Sequence, residues 1–328
     1  KWKVAVLGNG SWATALVKIL TENKNIVSWY IRDNESALKI KKYGFNPKYL
    51  KSTRLKTKRL NIDCDINKIV EGVKVVIVAI PSVYCFKELN KINIDVSEKI
   101  FISGVKGVLP EKMQILGNFF HDHFKISYDQ IGVISGPCHA EEIAMEKLSY
   151  LTFSCPNSEN AKIISKWLNC KYVRVSVSED ITGTEYAAML KNCYAIAAGI
   201  AYGLGYGDNF ISVLMSNSIR EMNKFIKNIY KMKRNINNSA YLGDLLVTSY
   251  SSFSRNRKLG VMLGKGYNIE NALLEMNMIA EGYYGSKSAF QINKKFKSNT
   301  PILDTVYTII HEKTSAKKAF KKLESKLD

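Results

Sequence analysis

A lysine stands inside the apolar stretch "EYAAMLKNCYAIAAGIAYGLGYGDN", which starts at Glu185. Between Tyr186 and Tyr202 the strongly polar side chains are the adjacent Lys191 and Asn192. On a helix, Lys191 shares its face with Ala187, Ala188, Tyr194, Ala195 and Ala198. Burying an unpaired ammonium is costly or drives its pKa down, so Lys191 needs a counter-ion or an anionic ligand. The segment "YLGDLLVTSYSSFSRNRKLG" (241–260) offers one, because Asp244 is an acid among apolar residues. An amine held this way can give a proton to an oxygen or take one from it. The same segment runs on to Ser254, Arg255, Asn256 and Arg257. Arg and Asn after a serine-rich stretch can open a helix and grip a phosphate; a capped helix with a solvated basic face has the same pattern.

A second constellation lies at the start of the chain. "GNGSWA" places Gly8, Gly10 and Ala13 between an apolar run and a helical pattern, the context of a dinucleotide fingerprint. Gly8 permits the tight turn, Gly10 the close approach of a pyrophosphate, and Ala13 replaces the usual third glycine at a packing position. The helix that opens at Ser11 offers backbone amides and the positive end of its dipole. The next apolar run ends "WYIRD", where a site for NADH usually carries an acid. Arg32 precedes Asp33 here, which favours the 2'-phosphate of NADPH while leaving NADH open. Lys106, in "SGVKG", and Gly136, in "ISGPCHAEEIA", close later runs at the ends where such sheets bind ligands. His139 sits in the first turn of the helix that follows and is given no catalytic role.

The elements behind these residues form two groups. Apolar runs at 3–8, 25–31, 73–81, 99–107, 130–137, 150–156 and 171–178 read as strands, with helices at 11–23 and 158–169 among them. Continuous apolar strands alternating with helices predict a doubly wound, mainly parallel α/β sheet. After residue 178 the pattern is helical throughout. Asp208 reads as a cap for "DNFISVLMSNSIREMNKFI", and helices are expected near 239–250, 253–264, 269–276, 282–296, 301–312 and 315–327. The expected organisation is a nucleotide-binding domain over 1–178 and an all-helical domain over 179–328.

Composition narrows the function classes. The formal charge of +19 is spread along the chain: 27 Lys and Arg against 16 Asp and Glu up to residue 178, and 21 against 13 beyond it. The densest basic run, "KYLKSTRLKTKRL" (48–60), lacks an aromatic platform and reads as a solvated loop, so no nucleic-acid partner is expected. General basicity favours small anionic ligands. Six cysteines without a C-x-x-C pair read as reduced, and His121 and His123 lack the partners of a metal cage, so no metal is expected. The opening residues read as a strand, not a secretion signal, and a membrane span across Lys191 would carry a charge at its centre. A cytoplasmic location is expected.

Together the blocks "GNGSWATAL", "VAIPS", "SGVKG", "SGPCHAEEIA", the Lys191 segment, "LGDLLVTSYSSFSRNRKLG" and "AEGYYGSK" resemble bacterial-type NAD(P)-dependent glycerol-3-phosphate dehydrogenases over about residues 3–310. The resemblance implies a Rossmann domain followed by a helical domain of the 6-phosphogluconate dehydrogenase type. It implies interconversion of dihydroxyacetone phosphate and sn-glycerol 3-phosphate, in the service of phospholipid synthesis. It makes Lys191 the catalytic acid/base, with Asp244 and Lys106 tuning its pKa in opposite senses and Asn192 orienting the carbonyl or the lysine. It puts Lys106, Gly136, Cys138, Lys191, Asp244, Ser254, Arg255 and Asn256 around the substrate. It draws cofactor contacts from Ser11, Trp12, Arg32, Lys106, Ala140, Arg255, Ile279 and Glu281, beside the Gly8 and Gly10 turn. Cys138 departs from the Ser or Thr usual in the family, and "YAAM" (186–189) is bulkier than its glycine-rich run. Two-domain enzymes of this kind are often dimers. The rival readings are another β-hydroxyacid or sugar-acid dehydrogenase with a carboxylate substrate, and a non-catalytic nucleotide- or RNA-binding protein.

Overall fold

In the computed structural model, which describes residues 2–276 and 278–328, eight strands form one sheet. They are β1 (Val4–Leu7), β2 (Val27–Tyr30), β3 (Leu60–Asp63), β4 (Val75–Val78), β5 (Ile100–Ser103), β6 (Ile131–Ser135), β7 (Ser149–Ser154) and β8 (Val173–Ser178). Their order is β3-β2-β1-β4-β5-β6-β7-β8. The pairing is parallel except between β6 and β7. Strands β1, β4, β5 and β6 are buried along their whole length, which is why they carry Val, Ile, Phe and Leu without alternation. The helix Ser11–Glu22 covers one face, with ten of its twelve residues buried. The order reverses between β1 and β4, where Leu7 pairs with Val78, and sheets of this kind bind ligands beyond the strand ends at such a switch point.

Contacts divide the chain into two compact units. The first comprises Lys1–Val105 and Gln114–Ile181; the second comprises Lys106–Met113 and Thr182–Asp328. The excursion Lys106–Met113 is the part of this division that hydrophobic patterning does not show: β5 ends at Ser103, and the residues after Val105 pack with the helices.

The second unit is built on the helix Ile181–Gly203. Met189, Leu190, Cys193, Tyr194, Ala195, Ile196 and Ala197 are fully buried there, so this helix is apolar all round and needs neighbours on every side. Glycines set one of those contacts. A Cβ on Gly199 would lie 2.1 Å from the Arg257 carbonyl oxygen, and one on Gly260 would lie 2.1 Å from that of Ile196. Gly203 and Gly264 repeat the contact one turn on, so Ile181–Gly203 and Arg255–Gly264 touch backbone to backbone. The Glu221 carboxylate, on helix Asp208–Ile229, accepts the Ile302 and Leu303 N–H groups at 2.9 Å each and caps the helix Pro301–His311.

Three local expectations change. The basic run 48–60 ends in β3, an edge strand whose four residues alternate too weakly to be seen in the sequence. Gly207, not Asp208, occupies the cap of Asp208–Ile229; Asp208 is in the first turn, where its charge suits the helix dipole. The third is only refined: the sheet is mainly parallel as expected, and its last two strands run against the others. Beyond Ser178 the described residues form no strand, and no helix is long and apolar enough to cross a membrane.

Candidate active site

In the sheet unit, the Gly8 turn follows β1 directly. Gly8 has φ +116°, and a Cβ there would meet the Ala79 carbonyl oxygen at 2.5 Å, so β1 and the segment after β4 approach through this glycine. Its carbonyl accepts from Trp29 Nε1 at 2.6 Å and its N–H donates to Tyr30 O at 3.2 Å. Gly10 caps the helix Ser11–Glu22 in an extended conformation, and a Cβ on it would meet nothing within 4 Å. That open space, in front of a helix N-terminus, fits a pyrophosphate. Ala13 is fully buried under the helix, as a third small residue requires. Trp12 lies against Gly104, whose Cβ would come within 3.1 Å of the indole nitrogen.

Beside this turn, β2 ends at Tyr30, and Arg32 and Asp33 follow. The Arg32 guanidinium is 3.4 Å from Glu88 Oε1 and 5.9 Å from the Tyr84 ring centroid, and its side chain is 64% exposed. Glu88 is buried and accepts from Tyr30 Oη at 2.7 Å and Lys91 Nζ at 2.9 Å. Burial works to raise the Glu88 carboxyl, but hydrogen bonds from Lys91 and Tyr30, with the Lys91 and Arg32 charges, hold it below its usual range. Asp33 is engaged elsewhere. It accepts from Glu35 N and Ser36 Oγ at the start of helix Asn34–Tyr43 and pairs with Lys48. The Lys48 hydrogen bond leads the forces that bring its pKa down to about 2. An exposed guanidinium beside a committed carboxylate suits a 2'-phosphate better than free ribose hydroxyls.

Gly136 and Cys138 follow β6. Gly136 has φ +105°, with Tyr150 O 3.0 Å from the Cβ it lacks. Cys138 is buried, and its thiol donates to Gly136 O at 3.2 Å. His139 caps the helix Ala140–Ala144, whose first residue is Ala140.

In the helical unit, Lys191 Nζ forms an ion pair with Asp244 Oδ1. The two residues are 3% and 1% exposed, and Asp244 Oδ2 is buried without a hydrogen-bond partner. Asp244 opens the helix Asp244–Tyr250 directly after the wide turn Ser239–Gly243. Asn192 forms a strut. Its Nδ2 donates to Lys106 O at 2.8 Å and Ala188 O at 3.1 Å, and its Oδ1 accepts from Asn256 Nδ2 at 2.8 Å. Asn256 Oδ1 in turn accepts Gly282 N at 2.9 Å. Ser254 caps the helix Arg255–Gly264 by accepting Arg257 N at 3.2 Å, and Arg255 is exposed in the first turn. Ile279 is half-buried before the helix that Glu281 opens.

Sequence comparison gives this geometry a family. The pattern described as NAD-dependent glycerol-3-phosphate dehydrogenase N-terminus matches residues 3–161, and the corresponding C-terminus pattern matches residues 180–321. The chain belongs to the NAD-dependent glycerol-3-phosphate dehydrogenase family. It is 31% identical to the NAD(P)+ glycerol-3-phosphate dehydrogenase of Staphylococcus carnosus over 98% of this chain and 97% of that one. It is 32% identical to the Limosilactobacillus reuteri enzyme of the same name over 98% and 96%. The crystal structure of glycerol-3-phosphate dehydrogenase from Coxiella burnetii superposes with a TM-score of 0.91 at 26% identity, covering 98% of both chains.

Seen as a member of this family, the chain brings Lys106, Lys191, Asn192, Asp244, Ser254, Arg255 and Asn256 together in one unit. Gly8, Gly10, Ser11, Trp12, Arg32, Gly136, Cys138 and Ala140 belong to the other. The side-chain amide of Asn192 is hydrogen-bonded to Lys106 O, Ala188 O and Asn256 Nδ2. Sequence reasoning passed over two features here: Glu88 beside Arg32 and the glycine pairs that set the Asn256 helix. For the glycines the signal was present, because Gly199 and Gly203, like Gly260 and Gly264, are one helical turn apart.

Proposed function

We propose that this chain reduces dihydroxyacetone phosphate reversibly to sn-glycerol 3-phosphate, with NADPH preferred over NADH, and so supplies glycerophospholipid synthesis. The buried Lys191–Asp244 pair supports this reading most directly. A desolvated ammonium with a fixed counter-ion suits proton transfer to the oxygen of a ketone under reduction. The Gly8–Ser11 turn and Arg32 hold the dinucleotide, which supplies the hydride when bound. Lys191 gives its proton to the oxygen that becomes the C2 hydroxyl and is reprotonated from solvent. Asp244 keeps the amine charged and oriented. Arg255, Ser254 and Asn256 take the phosphate, and that remote binding energy positions the carbonyl. In the reverse direction Lys191, deprotonated, accepts the hydroxyl proton.

A cytoplasmic location goes with this reading. A homodimer belongs to the same reading and is tested by light scattering. The activity itself is tested by following NADPH and then NADH absorbance with purified protein and dihydroxyacetone phosphate. Oxidation that requires the phosphorylated ketone is the expected result. Oxidation with a carboxylate substrate instead, and none with the phosphate, would refute the reading.

A further inference from the structure

We propose that Asn46 is a positioning residue of the dinucleotide turn, acting through the carbonyl of Asn9 and the hydroxyl of Thr14. Asn46 is fully buried, although it lies outside any helix or strand. Its Nδ2 donates to Asn9 O and to Thr14 Oγ1, both at 2.9 Å. Its Oδ1 accepts the N–H groups of Lys48 at 3.0 Å and Tyr49 at 3.2 Å, so the side chain is held by its own loop. Thr14 passes the contact on: its Oγ1 and its N–H both donate to Gly10 O, at 2.9 and 3.0 Å.

The consequence follows from peptide geometry. In a trans peptide the N–H points opposite to the C=O of the preceding residue. Asn46 holds the Asn9 carbonyl toward the protein, which turns the Gly10 N–H away from it. Thr14 holds the Gly10 carbonyl, which turns the Ser11 N–H the same way. In the proposal these amides serve the position beside Gly10, where a Cβ would meet nothing within 4 Å. A turn whose carbonyls are tied down presents its donors to a pyrophosphate without reorganising. The proposal rests on the assignment of the Gly8–Ser11 turn as the pyrophosphate cradle.

The test measures NADPH dissociation constants by tryptophan fluorescence quenching, with Trp12 in the first turn of the helix that follows, alongside kcat and both KM values. Asn46→Ala is expected to weaken NADPH binding about tenfold, the worth of two hydrogen bonds. The loss is expected in dinucleotide KM, not in kcat or in KM for dihydroxyacetone phosphate. Thr14→Val breaks the same contact from the other side, and the double variant should lose little more than either single one. If Asn46→Ala does not fold, Thr14→Val carries the test. An unchanged dissociation constant in a folded variant overturns the proposal, as does a loss shared equally by kcat and both KM values. Gly10→Val separates the underlying assignment, because its side chain would enter space that no protein atom occupies. Intact NADPH binding in Gly10→Val removes the cradle itself. Lost binding there, with none lost on changing Asn46 or Thr14, removes only the role of Asn46.

Discussion

Lys191 and Asp244 form an ion pair between two helices, and both residues are buried. A buried pair of this kind is weak evidence for stability, because desolvating both charges offsets their attraction. Removing one partner is different, since the other charge is left alone. Lys191→Met should therefore destabilise the chain by about 3–5 kcal/mol in urea unfolding. Replacing both, as Lys191→Met with Asp244→Leu, should restore most of that stability while turnover stays absent. Turnover in the double variant would remove Lys191 from the chemistry.

Asp244→Asn asks a narrower question. It keeps the shape and a hydrogen-bond acceptor but removes the anion, and an ammonium without its anion loses its proton more readily. On the proposed mechanism, reduction needs Lys191 protonated. The alkaline limb of the kcat profile for reduction should move to lower pH, and the oxidation profile should gain activity on its acid side. An unmoved profile would show that Asp244 does not set the charge of Lys191.

The contact of Gly199 with Arg257, and of Gly260 with Ile196, fixes the distance from the Lys191 helix to the helix that carries Arg255 and Asn256. An added methyl has no space at 2.1 Å, and the atoms it meets are backbone. Gly199→Ala or Gly260→Ala should cost about 1–3 kcal/mol or more by forcing the helices apart. That movement stretches the 2.8 Å bond between Asn256 and Asn192, so KM for the phosphorylated substrate should rise out of proportion to the loss of stability. Gly205→Ala, with no atom near its missing Cβ but φ +88°, measures backbone strain alone and serves as the comparison.

How much of this was legible in the sequence depended on whether the signal was local. β1, the Gly8 turn and the helix after it are read from adjacent residues, and the structure places them together. The pairing of Lys191 with Asp244 was inferred across 53 positions, because each charge was anomalous in its own apolar surroundings. β3 follows the basic run and was missed, because of its four residues only Ile62 is buried. The transfer of Lys106–Met113 to the helical unit has no local mark: Asn192 holds Lys106 through a backbone carbonyl, and a carbonyl has no residue type. Asn46 escaped notice for the same reason, because its partners are Asn9 O and a hydroxyl far along the chain.

The proposed preference for NADPH rests on Arg32, paired with Glu88, and on Asp33, paired with Lys48. Arg32→Ala removes a cation that a 2'-phosphate would meet and that NADH lacks. A charge-assisted hydrogen bond is worth about 1.5–3 kcal/mol, so kcat/KM for NADPH should fall at least about tenfold while that for NADH changes little. Glu88→Gln should produce part of the same change, because it loosens Arg32 without removing its charge. Equal losses with both dinucleotides would place Arg32 on adenine or the pyrophosphate instead.

His311 gives a pH dependence of stability with a definite sign. It ends the helix Pro301–His311, with Ser286 Oγ 3.0 Å from Nε2 and the rings of Tyr283 and Tyr307 beside it. Burial, with the Lys287 charge second, lowers its pKa from 6.5 to about 4. The unfolded chain therefore binds a proton at this residue as pH falls through 6.5, while the folded chain stays neutral until about 4. The state that binds more protons gains in acid, so stability falls across this window. Partial exposure limits the loss to roughly 2 kcal/mol. His311→Gln keeps a partner for Ser286 and cannot titrate. The urea midpoints of wild type and variant should therefore converge as pH is lowered from about 7 to about 4.5. A constant difference between them across that range would mean that His311 takes up its proton at the same pH in both states.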